Sequence, residues 1–565
     1  MKRLEQLLHD ADHKPYPAYK ALKGFYSFPG FVLSVDHVQG DPFAAPSSLS
    51  IRMKAQQHAI PRDYYEEAHR RVMLQDFLLR RFCREMGSFS NRAKGSGKSG
   101  TLSVSRPQQE VLERSALCID GNDGSLILRF SAGFPAAGRT TLAMELKKML
   151  TEYVPSCVSR ALLFSTLPKE ELSEWMKLAD EQKAIRGQLK EKGLIAFVAD
   201  GAILPRLSGV DERPMKGAVP FVSPEADRVT LSLPGGKSIS GLGIRSGITL
   251  IVGGGYHGKS TLLKALERGV YNHIPGDGRE YVITEESAMK IRSEDGRSVK
   301  QLDISAFIRN LPNKKDTVHF STEDASGSTS QAAGTVEAVL SGASTILIDE
   351  DTSATNFLVR DALMQSVIQP EEEPIIPFLG RMRSLYESFG VSTILVAGSS
   401  GAFFTEADAV LQMKEYRPLD ITKQAKEAAA REGLAPAASE TLPPWKDARV
   451  AFPNREVTDS RRVKVRGSGT DSVSINRESV ELRFVEQVVD HEQTNLLGAM
   501  LRTLEEHYFN GRDALPLCVE HLLEGLRREG FSAAADGSIP GNLAMVRPQE
   551  LWAMVNRYRS LQLGG

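Results

Sequence analysis

The feature that most constrains this chain is a glycine-rich turn at residues 253–260. An apolar, β-branched run precedes it at residues 248–252, and the residues after it have the pattern of a helix start. The turn fits G-x-x-x-x-G-K-S, in which backbone N–H groups cradle phosphate oxygens at a helix N-terminus. Lys259 is expected to reach the β- and γ-phosphates, and the Ser260 hydroxyl to ligate Mg²⁺. We predict a P-loop that binds ATP and Mg²⁺ through Gly253, Gly254, Gly255, Tyr256, His257, Gly258, Lys259, Ser260 and Thr261.

A second apolar run, residues 345–348, ends in the acidic residues Asp349, Glu350 and Asp351. A strand that ends in Asp-Glu typically sets one carboxylate beside the metal and the next beside the attacking water. We therefore predict that Asp349 holds Mg²⁺ and that Glu350, together with Lys259, is catalytic.

Length and composition indicate a globular chain of several domains. Its 565 residues suggest about three domains. We predict an N-terminal α+β domain over 1–210, a P-loop ATPase domain over 211–425, and a basic ribbon with a helical bundle over 426–565. No run of 18 apolar residues occurs, so no membrane partner is expected. Residues 1–14 carry Glu5, Asp10 and Asp12, unlike a targeting peptide, which favours the cytoplasm, or mitochondria if a presequence has been removed.

Two other segments resemble P-loops without fitting the context. Gly95–Gly100 has Arg92 where the first glycine belongs, and no predicted strand precedes it. Gly133–Thr140 has the correct spacing, but Arg139 replaces the lysine and Pro135 removes an N–H from the turn. We interpret the first as a flexible basic loop and expect no nucleotide at the second.

Basic residues cluster locally, although the net charge is only −1. Residues 1–100 hold 16 Lys and Arg against 10 Asp and Glu, and a basic amphipathic helix is predicted over 64–86. Such surfaces suit a polyanion, and a merely solvated face or edge strand fits the same pattern. Our candidate nucleic-acid contacts are Lys94, Lys98, Arg461, Arg462, Lys464 and Arg466.

Between the P-loop and the acidic strand lies a Ser-Gly turn, Ser326-Gly327-Ser328, which leads into a predicted helix. It resembles the signature motif of ABC-type ATPases, normally Leu-Ser-Gly-Gly-Gln, in altered form. In that class the turn contacts the γ-phosphate from the other subunit of a dimer. The resemblance therefore implies that Ser326, Gly327 and Ser328 bind nucleotide across a homodimer interface.

Longer blocks resemble the family known as predicted ATPases of the ABC class. They are residues 253–263, 294–297, 325–333 and 349–357, and the resemblance extends over roughly residues 15–425. That family occurs widely in bacteria and includes a trypanosomal mitochondrial ATPase associated with guide-RNA binding and RNA editing. The resemblance implies an α/β fold with a central ABC-type P-loop domain, flanked by an α+β N-terminal domain and a mainly helical C-terminal domain. It also implies RNA as a partner.

The sequence departs from an ordinary ABC protein at two places, the switch histidine and the glutamine loop. The switch histidine is missing, because Gly398-Ser399-Ser400 follows the apolar run at residues 393–396. Turnover is therefore expected to be slow. Gln301, which precedes a predicted strand at residues 304–308, is the best candidate for the glutamine loop, with Asp303 as the rival. Phe221 is the candidate for stacking on adenine.

The function favoured by the sequence is an ATP hydrolase that closes as a dimer on nucleotide and clamps a nucleic acid, with RNA expected. One alternative is a nucleotide-gated protein scaffold with little hydrolysis. A third, less favoured, is an ATPase that energises a transporter.

Overall fold

The computed structural model describes residues 2–360, 367, 373–437, 439–458, 463–535 and 537–564. Two compact units emerge: unit 1 comprises Met1–Asp180 and Ala535–Met545, and unit 2 comprises Glu181–Ala534 and Val546–Gly565. The predicted division at residue 210 differs from this boundary, because the buried strand at residues 194–199 pairs within unit 2. The three-domain division therefore stays a prediction.

Unit 1 is built on an antiparallel sheet. Its strands follow the order β1-β2-β3-β7-β4, with β6 beside β7. The strands are β1 (Gly24–Phe28), β2 (Phe31–His37), β3 (Ser47–Met53), β4 (Leu102–Ser103), β5 (Glu110–Val111), β6 (Leu117–Ile119), β7 (Leu126–Ala132), β8 (Ala136–Ala137) and β9 (Thr140–Thr141). The helices are α1 (Lys2–Ala11), α2 (Ala55–His58), α3 (Ala68–Phe89), α4 (Ala143–Lys148), α5 (Val154–Ala161) and α6 (Lys169–Glu191), the last of which runs across the unit boundary.

Helix α3 packs its apolar face against β6 and α5. Leu74, Phe77, Leu78 and Phe82 recur at helical spacing and are buried, as an amphipathic helix requires. The predicted helix over 64–86 is therefore confirmed, although it runs over Ala68–Phe89. Helix α4 is continued by a π-helical turn over Met149–Tyr153, which leads into α5, and α6 follows over Lys169–Glu191.

Unit 2 contains the remaining strands and helices. The strands are β10 (Leu194–Ala199), β11 (Arg206–Ser208), β12 (Asp211–Pro214), β13 (Arg228–Leu233), β14 (Lys237–Arg245), β15 (Ile248–Val252), β16 (Asn272–His273), β17 (Val282–Thr284), β18 (Met289–Ile291), β19 (Arg297–Leu302), β20 (Phe320–Ala325), β21 (Thr345–Asp349), β22 (Ser392–Val396), β23 (Ala409–Lys414), β24 (Arg417–Asp420), β25 (Ala451–Phe452), β26 (Val465–Ser468), β27 (Ser472–Ile475), β28 (Glu478–Glu481) and β29 (Gln562–Leu563). The helices are α7 (Lys259–Arg268), α8 (Gly327–Leu340), α9 (Thr355–Leu358), α10 (Met382–Phe389), α11 (Thr422–Arg431), α12 (Arg455–Thr458), α13 (His491–Thr503), α14 (Leu515–Glu529) and α15 (Pro548–Arg557).

The centre of unit 2 is a six-stranded sheet in the order β18-β21-β22-β15-β23-β24. Its first five strands are parallel and only β24 is antiparallel. Strands β15, β21 and β22 are apolar almost throughout because both of their faces are covered. One face packs against α7 and the antiparallel sheet β13-β14-β10-β17. The other packs against α8, α10 and the aromatic residues Phe307, Phe357 and Phe378.

The C-terminal part of unit 2 is mainly helical, as expected, with a small sheet β26-β27-β28. Asp490 caps α13, so this helix begins at His491. The predicted strand over 304–308 is wrong, since these residues form a turn that makes one isolated bridge, between Ile308 and Ile375. None of the helices in the described ranges has the combination of length and hydrophobicity needed to span a bilayer.

Candidate nucleotide-binding site

The P-loop, residues 253–260, joins the end of β15 to the start of α7, as predicted. Three of its residues have positive φ: Gly253 (137°), Tyr256 (64°) and Gly258 (96°). At Gly253 a side chain is also excluded by space, because a Cβ would lie 2.4 Å from the Met413 carbonyl oxygen. Glycine is therefore needed there both for conformation and for close backbone approach.

The loop is open where a phosphate would bind. Gly254, Gly255, Tyr256 and Ser260 are exposed, and the first turn of α7 has N–H groups with no acceptor in the preceding turn. The Lys259 ammonium folds back and donates to the carbonyl oxygens of Gly253 (2.7 Å) and Gly254 (2.9 Å). This cradle, with a helix dipole behind it, fits an anionic phosphate group.

Two carboxylates lie at the same edge of the sheet as the P-loop. Asp349 is the last residue of β21, is buried, and its Oδ1 accepts from the Asp351 N–H at 3.2 Å. Strand β22 lies between β21 and β15, and all three are parallel, so their carboxyl ends meet at this edge. Asp349 and Glu350 are therefore brought to the P-loop side of unit 2, as the sequence suggested.

Glu350 is held by the segment that replaces the switch histidine. Its carboxylate accepts from the N–H groups of Gly398 and Ser399, the latter at 3.1 Å, and from the Ser399 hydroxyl. These contacts occur because β22 ends at Val396, one strand away from β21. The position without an imidazole thus supplies three donors to Glu350.

The signature turn, Ser326–Ser328, begins α8. Ser326 is the N-cap, and its hydroxyl accepts from the Thr329 N–H at 3.5 Å. The Ser328 hydroxyl donates to Asn356 Oδ1 at 2.6 Å, which ties this turn to α9 and so to the segment after β21. Gln331 strengthens that link, because its side chain donates to the Ser353 hydroxyl and accepts from the Ala354 N–H.

The signature turn and the P-loop belong to different parts of the sheet. Helix α8 packs beside β18, the outermost strand, whereas the P-loop follows β15. These strands are three positions apart in the sheet, which corresponds to about 14 Å.

Two residues that were expected to contact nucleotide, Gln301 and Phe221, lie in different surroundings. Gln301 is in β19 with φ 47°, and it lines a cavity of about 920 Å³ with Asp303 and Trp445 that no P-loop residue borders. The segment that follows the carboxyl end of β18 is Arg292–Asp295, and this segment lies against the signature turn. Phe221 is only 1% exposed and packs in the core, so its predicted stacking on adenine is wrong.

The P-loop also has a contact that the sequence did not predict, and it comes from the hairpin after β23. The hairpin between β23 and β24 turns at Glu415 and Tyr416, both with positive φ. Their N–H groups donate to His257, at Nδ1 (3.0 Å) and at the carbonyl oxygen (3.2 Å). The turn contains neither glycine nor asparagine, so it carries no sequence signal for positive φ.

The candidate nucleic-acid residues are exposed where they are described. Lys94 and Lys98 lie on a loop of unit 1 whose backbone is fixed by hydrogen bonds, such as Lys98 N–H to the Pro42 carbonyl at 2.8 Å. Lys464 and Arg466 are exposed in unit 2, while Val465 between them faces Gly498 of α13. Arg461 and Arg462 lie outside the described residues. On α3, by contrast, Arg70 and Arg80 are ion-paired with Asp180 and Asp76.

Together the fold and this site define an ABC-class P-loop ATPase domain. Three family models match the chain: the ABC-class ATPase N-terminal region at residues 1–165, the ABC ATPase P-loop domain at 168–444, and the MRB1590 C-terminal domain at 464–564. The chain belongs to the ABC-class ATPase family.

Named relatives add little about function. The uncharacterized protein MJ1628 of Methanocaldococcus jannaschii is 33% identical over 290 residues, which cover 49% of this chain and 63% of that protein. The chain therefore matches less than two thirds of that relative's length. CbiO1 from Clostridium perfringens, part of the ABC transporter complex cbiONQ, is 15% identical with a TM-score of 0.26, covering 42% of this chain and 92% of that one.

Proposed function

We propose that this protein hydrolyses ATP with Mg²⁺ at a site completed by a second copy of the chain, and that nucleotide state controls a clamp on nucleic acid, with RNA as the ligand. The observation that supports the dimer most directly is that α8, the helix that begins at the signature turn, packs beside β18, whereas the P-loop follows β15, a strand about 14 Å away across the sheet. Two copies arranged head to tail would bring each turn to the other copy's P-loop.

Each residue has a role in this proposal. The P-loop N–H groups and Lys259 bind the phosphates, and the Ser260 hydroxyl and Asp349 are the oxygen ligands that would hold Mg²⁺. When bound, Mg²⁺ neutralises charge on the phosphate oxygens. Glu350 orients and deprotonates water, and the signature turn donates from the N-terminus of α8 in the partner copy.

The hydrogen bonds of Glu350 support slow basal turnover. The Glu350 carboxylate already accepts one hydrogen bond from Gly398 and two from Ser399. These hydrogen bonds leave it less available to accept a proton from water. We infer that closure of the dimer must release this carboxylate before hydrolysis proceeds. The same observation favours the second candidate function, a nucleotide-gated scaffold that hydrolyses little ATP.

The clamp is supported by exposed basic residues in both units. Lys94 and Lys98 of unit 1 and Lys464 and Arg466 of unit 2 are available to phosphate groups. The choice of RNA comes from the resemblance to an ATPase associated with guide-RNA binding, and the match to the MRB1590 C-terminal domain agrees with it.

The first experiment is steady-state ATP hydrolysis with and without single-stranded RNA, using Glu350→Gln as the blank. Loss of the general base should lower turnover by about 100-fold or more. The variant should retain ATP and be trapped as a dimer in analytical ultracentrifugation. A monomer with normal nucleotide affinity would refute the shared site.

RNA binding is tested by its salt dependence. Replacing Lys464 and Arg466 together with Gln should reduce the slope of log affinity against log salt by about 2. Lys423→Gln, at a lysine whose side chain is 89% exposed, is the matched control and should leave the slope unchanged. Stimulation of hydrolysis by RNA would support the clamp, whereas slow turnover indifferent to RNA would favour the scaffold.

A further inference from the structure

The turn that follows β18, Arg292–Gly296, connects three parts of the ATPase core. Its backbone N–H groups donate to the Thr352 carbonyl after β21 (from Ser293, 3.0 Å) and to the Ser330 hydroxyl in α8 (from Glu294, 2.9 Å). A Cβ on Gly327 would lie 2.4 Å from the Ser293 hydroxyl. Any displacement of this β18 turn would therefore displace the signature turn.

Glu294 is the most buried residue of the β18 turn, and it forms an ion pair with Arg557 of the C-terminal helix α15. Arg557 donates to both of its carboxylate oxygens, from Nη2 at 2.5 Å and from Nε at 3.1 Å. Both side chains are largely buried, with 11% and 8% exposed. Burial raises the pKa of Glu294, but the Arg557 and Arg297 guanidinium groups outweigh it and hold this pKa below its ordinary value. The pair is thus ionised at neutral pH.

Other C-terminal side chains hold the same assembly. Arg559 donates to the carbonyl oxygens of Gly296 (2.7 Å) and Glu323 (2.6 Å), which flank the signature turn in space. At the opposite end of α8, Gln549 donates to the Ser341 carbonyl at 3.2 Å. Helix α15 and the residues just after it therefore contact the C-terminal end of α8 and the segments that lie beside its N-terminal end.

We propose that Arg557 is a positioning residue of the ATPase site: through Glu294 and Ser330 it fixes the signature turn at the place where it must meet the partner's nucleotide. This inference rests on the proposed function, because the turn acts only if nucleotide is shared between copies. A two-point arginine–carboxylate contact suits this role, because it fixes orientation as well as distance. It also makes the C-terminal domain part of the catalytic machinery, since ligand binding that moved α15 would move the turn.

An ion pair that only stabilises the fold makes a different prediction. Its loss would lower the melting temperature and affect nucleotide binding and turnover alike. A positioning residue affects turnover while the P-loop, which α15 does not hold in these contacts, keeps its affinity for nucleotide. The KM and kcat of ATP hydrolysis therefore separate the two roles.

The test compares Arg557→Met, Arg557→Lys and Glu294→Gln in the full chain. Arg527→Met is the matched control, because Arg527 forms an exposed ion pair with Glu520 in the same C-terminal domain. Arg557→Met is expected to lower kcat about tenfold with KM unchanged within about twofold. Combining Arg557→Met with Glu294→Gln should cost no more than the larger single effect, because both remove one contact. Arg557→Lys keeps the charge and should recover part of the turnover.

Hydrogen exchange without nucleotide supplies a readout independent of activity. Arg557→Met should accelerate exchange at the N–H groups of residues 326–331, and Arg527→Met should not. Unchanged exchange there, or unchanged kcat in an active protein, would overturn the proposal. If Arg557→Met does not fold, Arg557→Lys and Glu294→Gln decide by the same two readouts. If the unaltered chain hydrolyses no ATP, the proposed function fails, while the exchange rates still show whether Arg557 fixes the turn.

Discussion

The P-loop of unit 2 and the look-alike loop of unit 1, Gly133–Thr140, share the same glycine spacing and both follow a strand. They differ in what comes next. The P-loop runs directly into α7 at Lys259, whereas the look-alike loop forms the β8–β9 hairpin and α4 begins only at Ala143. Only the first loop therefore has a helix dipole and unpaired first-turn N–H groups behind it.

The two loops also use their backbones differently. In the look-alike loop, the N–H groups of Phe134, Ala136 and Gly138 donate to side-chain oxygens of Gln39, Ser99 and Ser96, at 3.1, 3.1 and 2.9 Å. These donors are committed to the protein and cannot cradle a phosphate. In the P-loop the hydrogen bonds from Lys259 engage carbonyl oxygens instead, and Gly254 and Gly255 are exposed. Spacing alone thus does not make an anion site; uncommitted N–H groups do.

The largest effect expected from this contrast is on ATP hydrolysis. Lys259→Ala should lower ATP hydrolysis by about 100-fold or more, because the ammonium that faces developing phosphate charge is lost. Arg139→Ala, at the matched position of the look-alike loop, should change hydrolysis by less than about twofold. Steady-state hydrolysis and fluorescent-nucleotide binding measure both. Equal losses in the two variants would break the comparison.

A smaller effect is expected on stability from the two loops' glycines. Gly253→Ala should lower the free energy of unfolding by about 3 kcal/mol, because alanine disfavours φ 137° and its Cβ would approach the Met413 carbonyl oxygen. Gly138→Ala should cost only about 1 kcal/mol, since φ is 58° and nothing lies within 4 Å of the added Cβ. Urea unfolding distinguishes the two values, and a larger cost at Gly138 would contradict the prediction.

The smallest effect is on the pH dependence of stability. It involves Glu267, near the end of α7, the helix that follows the P-loop. Burial raises the pKa of Glu267 from 4.5 to about 7, although Lys264 and Arg268 lie 3.8 Å away. The folded state then binds more protons than the unfolded state between these pH values. The stability that Glu267 contributes is fully present below pH 4.5 and is lost as the pH rises through about 7.

Between pH 5 and 7 this loss amounts to about 2 kcal/mol of unfolding free energy. Glu267→Gln should therefore flatten the pH dependence of stability by that amount, measured by urea unfolding at several pH values. Burial also raises the pKa of Glu505 to about 7, so Glu505 would still contribute its own pH dependence of stability in this variant. An unchanged slope in Glu267→Gln would show that Glu267 does not carry this proton.

The sequence predicted the parts of the candidate site that are contiguous in the chain. The strand, loop and helix around Lys259, the acidic end of β21 and the helix that begins after Ser326 all occur where expected. Each of these depends on local rules, since glycine positions, apolar runs and caps act within a few residues. The roles of these residues in catalysis stay predictions.

Positions that depend on strand order were not predictable. Gln301 is the expected glutamine-loop residue because it precedes a predicted strand at residues 304–308, but those residues form a turn. The turn that follows β18 and lies against the signature turn is Arg292–Gly296. Phe221 was proposed to stack on adenine, but it is buried between the antiparallel sheet and α7. Arg557 is 263 residues from Glu294, a separation that no local pattern spans.

By itself, then, the sequence determined that this chain has a P-loop, an acidic strand end and a Ser-Gly helix start, because a few neighbouring residues specify each of them. Only the tertiary structure decided which segments meet. It brought Gly398 and Ser399 to Glu350 and Arg557 to Glu294, and it committed the N–H groups of the look-alike loop to Gln39, Ser99 and Ser96. The physical reason is that such contacts depend on how strands and helices pack across long stretches of chain, where burial rather than local propensity selects the partners.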